Sequence, residues 1–287
     1  MKKILILILA SFIVANCSNN TSSSEPEVAF DILGVSFYNE FFPCVGGENY
    51  TPENVMAMMK AWRAQNISDD LLGAWGYAPA ADTNGQDNGW WELSWESQEQ
   101  ADAAWAEWVA NEGAMAWAEE YESVIACDGE ARRGWVFQWQ RDPYSFGEFP
   151  DSGEFFTETF VCKFNEGKGE DDLAASIALF NEWLDNGQNY GAYAFGTYAS
   201  VQEDENLDFL WLNFHESADG AAKGSADWMA NGGEAAASIA ATATCSNPPD
   251  YYNSWTLYDP ARPQFSKGNK YLIFKKSPVL WGFLLSR

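Results

Sequence analysis

Between residues 155 and 164 apolar and polar positions alternate with period two, which predicts a strand with two unlike faces. The next segment, 171–184, changes period. Leu173, Ile177, Phe180, Trp183 and Leu184 recur at helical intervals and predict an amphipathic helix that buries this stripe. Alternation returns over 190–201 and 207–215, two strands around an acidic hairpin loop. A second helical pattern covers 217–243, interrupted at Gly232-Gly233, and 251–258 closes the series as a strand. The predicted order is βαββαβ.

The same order is written once more, earlier in the chain. Leu72-Gly73-Ala74-Trp75 falls on Tyr190-Gly191-Ala192-Tyr193, and Glu96-Ser97 falls on Glu216-Ser217. Trp108-Val109-Ala110-Asn111 falls on Trp228-Met229-Ala230-Asn231. Self-similarity over this length predicts two repeats, 28–147 and 148–260. The cysteines test the alignment independently: Cys44 and Cys127 are 83 residues apart, and so are Cys162 and Cys245. Equal spacing within each half predicts one disulfide per repeat.

The βαββαβ order is the split βαβ, or ferredoxin-like, pattern. With the helix-opening run Glu96-Ser97 through Ala101-Asp102-Ala103-Ala104-Trp105, the chain resembles the dimeric α/β-barrel superfamily. The resemblance implies an α+β fold, two tandem ferredoxin-like repeats packed sheet to sheet as an intrachain barrel, and a monomer containing its own pseudo-dimer. Members of that superfamily include cofactor-free monooxygenases, haem enzymes and proteins with no known activity, so the fold does not select a function.

The ends of the chain change the picture. Lys2 and Lys3 precede an apolar run over 4–15, which is too short to span a bilayer and reads as a signal peptide over 1–16. Val14-Ala15-Asn16-Cys17 resembles a lipoprotein processing site with Cys17 as the lipidated residue, although Asn16 departs from the small residue usual there. A polar tether over 17–27 follows, and a basic, apolar tail occupies 261–287. The expected location is the cell envelope, facing the periplasm or exterior, an oxidising setting for disulfides, with membrane contact only through the lipid. All 42 acidic residues lie between Glu25 and Asp259, among only eight Lys or Arg, and this excess argues against any nucleic-acid partner.

Candidate chemistry is sparse. His215 is the one histidine, which excludes HExxH hydrolases and His-rich metal sites, and no G-x-S-x-G elbow or phosphate loop is present. Period two places Trp211, Asn213 and His215 on one strand face and Leu210, Leu212 and Phe214 on the other. The uniformly apolar set is expected to pack on helices, turning the first set toward the space between the sheets. Trp91 and Trp95 are the corresponding ligand-binding candidates of the first repeat. His215, Glu158 and Glu40 are the candidate catalytic residues. The two glutamates align in the first strands of the repeats, where burial is expected to raise their carboxyls toward general-base range. Acidic loops at 82–87 and 203–208 raise calcium, and His215 raises haem, but no metal or cofactor is expected. The leading expectation is an exported lipoprotein that binds a small apolar or aromatic ligand in an aromatic-lined cavity, and the alternatives are a monooxygenase-like enzyme and a structural envelope module.

Overall fold

The first strand among the described residues, β1 (Ser36–Gly46), alternates Phe37, Asn39 and Phe41 with Tyr38, Glu40 and Phe42, and both sets are largely buried. A strand apolar on two faces must be covered on both, and this requirement organises the molecule. The computed structural model describes residues 33–65, 68–85 and 88–259. The signal-peptide, lipidation and C-terminal-tail expectations, including Cys17, lie outside the described residues.

The remaining elements of the first half are α1 (Pro52–Arg63), β2 (Gly73–Pro79), β3 (Gly89–Trp95), α2 (Gln98–Ala110), α3 (Glu112–Tyr121), β4 (Ile125–Cys127) and β5 (Arg133–Trp139). The second half gives β6 (Glu154–Phe164), α4 (Glu170–Asn186), β7 (Tyr193–Ser200), β8 (Phe209–His215), α5 (Ala218–Asn231), α6 (Gly233–Thr242), β9 (Ala243–Cys245) and β10 (Asp250–Tyr258). In α1, Thr51 caps the first turn by accepting from Asn54 N at 3.2 Å, and Val55, Met58, Met59 and Trp62 form the buried stripe. In α4, Leu173, Ile177 and Phe180 are buried at helical spacing, each contributing roughly 1.5–3 kcal/mol. Gly233 at φ +49° divides α5 from α6, at the interruption read in the sequence. In the first half Asn111 makes the same break, its side chain capping α3 at Gly113 N, 2.9 Å away.

Strand order is β5-β1-β3-β2 in the first half and β10-β6-β8-β7 in the second, all antiparallel. The expectation of two sheets stacked face to face is corrected. The sheets join edge to edge, β5 to β7 and β10 to β2, and close an eight-stranded barrel. Closure pairs the backbone groups that open edges would leave exposed. Both seams have the same register: Phe137 faces Tyr198 in one and Ser254 faces Tyr77 in the other. This register also moves the repeat alignment. Tyr77 corresponds to Tyr198 by strand pairing, so the second strands are displaced by three residues from the match read off Gly73-Ala74.

The short strands β4 and β9 were not legible in the sequence, which extends the last helix to residue 243. They pair with the ends of β1 and β6 and set Cys44 opposite Cys127 and Cys162 opposite Cys245, with Cα atoms 4.0 Å apart in both disulfides.

The barrel interior is filled by Phe41, Tyr77, Trp135, Phe137, Tyr198, Leu212, Phe214 and Tyr252. The face assignment of β8 is therefore the reverse of that expected. Leu210, Leu212 and Phe214 point into the barrel, while Trp211, Asn213 and His215 lie under α4, α5 and α6. An all-apolar face suits the barrel interior at least as well as a helix layer, because either one buries it.

Candidate functional site

Beneath the helices of the second half lies a cavity of ≈ 220 Å³. Its walls are aromatic, chiefly Phe160, Phe180, Trp183, Trp211 and Trp228, and its polar floor is Glu158, Asn213, His215 and Ser225. β6 supplies Glu158 and Phe160, two residues apart and thus on one face, and β8 supplies Trp211, Asn213 and His215 in the same way. Helix α5 contributes Gly220, Gly224 and Ser225. A Cβ added at Gly224 would meet nothing within 4 Å, so this glycine leaves open space where a side chain would stand.

The floor is one hydrogen-bonded network centred on Glu158, which is buried. Its Oε2 accepts from Asn213 Nδ2 at 3.0 Å and lies 3.1 Å from His215 Nε2, and its Oε1 accepts from Ser225 Oγ at 3.1 Å. Asn213 Oδ1 in turn accepts from Trp211 Nε1 at 2.8 Å and from the Tyr193 hydroxyl at 2.9 Å. Burial pushes the Glu158 carboxyl up, but the hydrogen bond and charge of His215, with Asn213 and Ser225, outweigh it and hold the group below its ordinary value. The expected rise toward general-base range does not occur, because three donors converge on the charged form. Burial and the Glu158 charge push the Tyr193 phenol well above its ordinary value, so it remains a donor.

Glu40 occupies the matching position on β1 in a different setting. Its Oε2 accepts from Trp105 Nε1 at 2.7 Å and Trp95 Nε1 at 3.2 Å, and Arg132 Nε stands 2.7 Å from its Oε1. Burial lifts this carboxyl above its ordinary value against the pull of Trp105, Arg132 and Trp95. Trp91 and Trp95, expected to line a ligand site, are placed instead in a filled layer. Trp91 packs on Phe42 and Trp62, with ring centroids at 6.1 and 5.1 Å, and the void beside it is ≈ 10 Å³.

Sequence reasoning missed Glu92. It projects into the barrel from β3, 1% exposed, and accepts from Asn39 at 2.6 Å, from the Tyr198 hydroxyl at 2.9 Å and from the Tyr77 hydroxyl. Burial drives its carboxyl up to about 7 against those three bonds. The available signal was a glutamate between Trp91 and Leu93 in a strand with no solvent-facing side.

The acidic loops serve as tethers. Asn84 exchanges two hydrogen bonds with Tyr251, and Asp204 pairs with Arg133 at 3.0 Å. Among the described residues no group of three His, Cys, Asp or Glu is arranged to hold a metal ion.

No protein-family model matches the chain, and no curated protein is similar to it in sequence. Among solved structures it is similar to chlorite dismutase from Candidatus Nitrospira defluvii in complex with imidazole, at 10% identity and a TM-score of 0.44, over 77% of this chain and 92% of that one. It is also similar to an anthrone oxidase-like protein, at 11% identity and a TM-score of 0.47, over 77% of this chain and 94% of that one. The chain itself is an α+β protein with a closed antiparallel barrel.

Proposed function

We propose that the chain is a binding protein for a small aromatic molecule, held in the cavity of the second half. The observation that carries this reading is an aromatic-walled space with a polar floor on one side of the molecule, while the matching layer of the other half is filled. A volume of ≈ 220 Å³ is below the span typical of drug-sized ligands and suits one or two rings. Three tryptophans line the cavity, so intrinsic fluorescence reports occupancy. Ser225→Trp places an indole where α2 carries Trp105. It is expected to abolish binding of single-ring probes, at least 100-fold, with the fold retained by circular dichroism. Unaltered binding to Ser225→Trp would remove the cavity from consideration.

A second reading, acid–base chemistry on the bound molecule, is favoured by His215. Its Nε2 is engaged by Glu158, and its Nδ1 has no hydrogen-bond partner among the described residues. Glu158 then acts as a positioning residue that fixes the tautomer, and His215 is the group that would exchange a proton with the ligand. Haem, which the fold family implies, does not match this lining. No Lys or Arg stands among the lining residues to receive its carboxylates, and the ring nitrogen His215 would normally offer to iron is turned to Glu158.

The equal seam registers and equal cysteine spacings support descent of the two halves from one duplicated ferredoxin-like unit. Export with lipid attachment at Cys17 rests on the N-terminal sequence pattern, and the intact mass of the mature chain checks it.

A further inference from the structure

The floor of the cavity carries a carboxylate that no Lys or Arg of the lining balances, and that only a protonated His215 would offset. In the first half the buried Glu40 meets a guanidinium: Arg132 Nε is 2.7 Å from Oε1, and the same guanidinium lies over the Trp105 ring, 4.6 Å from its centroid. Strand register shows what replaces it. Arg133 faces Phe41 where Asp250 faces Thr159, so the residue before each strand is Arg132 in one half and Pro249 in the other. The connection 246–249 holds no basic residue.

Glu158 is thus the same carboxylate without its guanidinium. Its Oε1 accepts one hydrogen bond, from Ser225, where Glu40 Oε1 accepts an ion pair. No Lys or Arg lines the cavity. Arg141, whose guanidinium lies 4.5 Å over the lining ring Phe146, is bound to Asp185 at 2.7 Å and to Asn181 at 3.2 Å. Lys223, on α5, is bound to Asp219 at 2.6 Å. His215 offsets the carboxylate only when protonated.

A buried carboxylate calls for a paired charge, and aromatic faces around it attract cations through their quadrupoles. We infer that the cavity's ligand is an organic cation, a primary ammonium or guanidinium on a small aromatic body, seated on Glu158 as Arg132 is seated on Glu40. This deepens the binding reading above and rests on it. The overall charge of −26 raises the local concentration of such a ligand around the chain.

The test uses the full chain with both disulfides intact and three probes of one shape, 2-phenylethylammonium, 2-phenylethanol and phenylacetate, titrated by tryptophan fluorescence at fixed ionic strength. The ammonium is expected to bind at least 10-fold more tightly than the alcohol, and phenylacetate more weakly than either. Glu158→Gln is expected to bring the ammonium down to the affinity of the alcohol. Should the alcohol bind the wild-type chain as tightly as the ammonium, the cation is wrong while the cavity stands. Absence of binding by all three overturns both. The wild-type comparison decides the matter even if the variant does not fold.

Discussion

The two halves share element order, strand order and disulfide placement, yet one closes around its carboxylate and the other leaves room. Three side chains account for the difference. Trp95, Trp105 and Leu93 of the first half correspond to His215, Ser225 and Asn213 of the second, and each replacement is smaller or more polar. In the first half two indoles donate to Glu40 and fill the volume they occupy, with Arg132 as counter-ion. In the second, a hydroxyl, an amide and an imidazole make three hydrogen bonds to Glu158 from less volume. The carboxylate keeps hydrogen-bond donors on both oxygens while ≈ 220 Å³ is released. A structural site becomes a cavity when donors are kept and bulk is removed.

Removing the counter-ion should break the comparison most sharply. Arg132→Met leaves Glu40 buried without a cation and is expected to cost about 3–5 kcal/mol in urea unfolding, and adding Glu40→Gln should recover most of it. If Arg132→Met costs under ~1 kcal/mol, the guanidinium is not what makes burial of Glu40 tolerable.

The next effect is in the barrel, where Glu92 of the first half stands at the position of Leu212 in the second. Its carboxyl is raised by burial to about 7, so the folded chain holds this proton more tightly than the unfolded one. This contribution to stability is full below about pH 4.5 and is lost as pH rises through about 7, a span on the order of 3 kcal/mol. Glu92→Gln keeps the shape and should flatten that decline, read as the pH dependence of the denaturation midpoint between pH 5 and 8. A variant that follows the wild-type slope would assign the decline to other groups.

The smallest effect sharpens the contrast between α2 and α5. Gly224 stands where α2 has Ala104, and a Cβ there meets open space. Gly224→Ala should stabilise the chain by about 0.5–1 kcal/mol through helix propensity alone. Destabilisation would mean that the cavity wall is tighter than the geometry indicates.

Much of this was written in the chain. The interruption at Gly232-Gly233 marked the boundary between α5 and α6, because a residue at positive φ ends a helix wherever it lies. Cysteine spacing named both disulfide pairs without any knowledge of β4 and β9. Grouping Trp211, Asn213 and His215 on one face followed from strand periodicity, and that face does line the cavity. Placing Trp91 and Trp95 at a ligand site went astray because aromatic composition looks the same in a wall and in a plug. Only the neighbours, Trp62 and Phe42 packed against Trp91, tell them apart.

The sequence by itself determined the order of the longer elements, the pairing of cysteines and the residues that share each strand face, since all three depend on local periodicity and spacing. Tertiary structure alone decided which face turned into the barrel, that the sheets met at their edges, and that Glu92 was enclosed. Both faces of β1, β3 and β8 are covered, so hydrophobicity along these strands carries no label for inside.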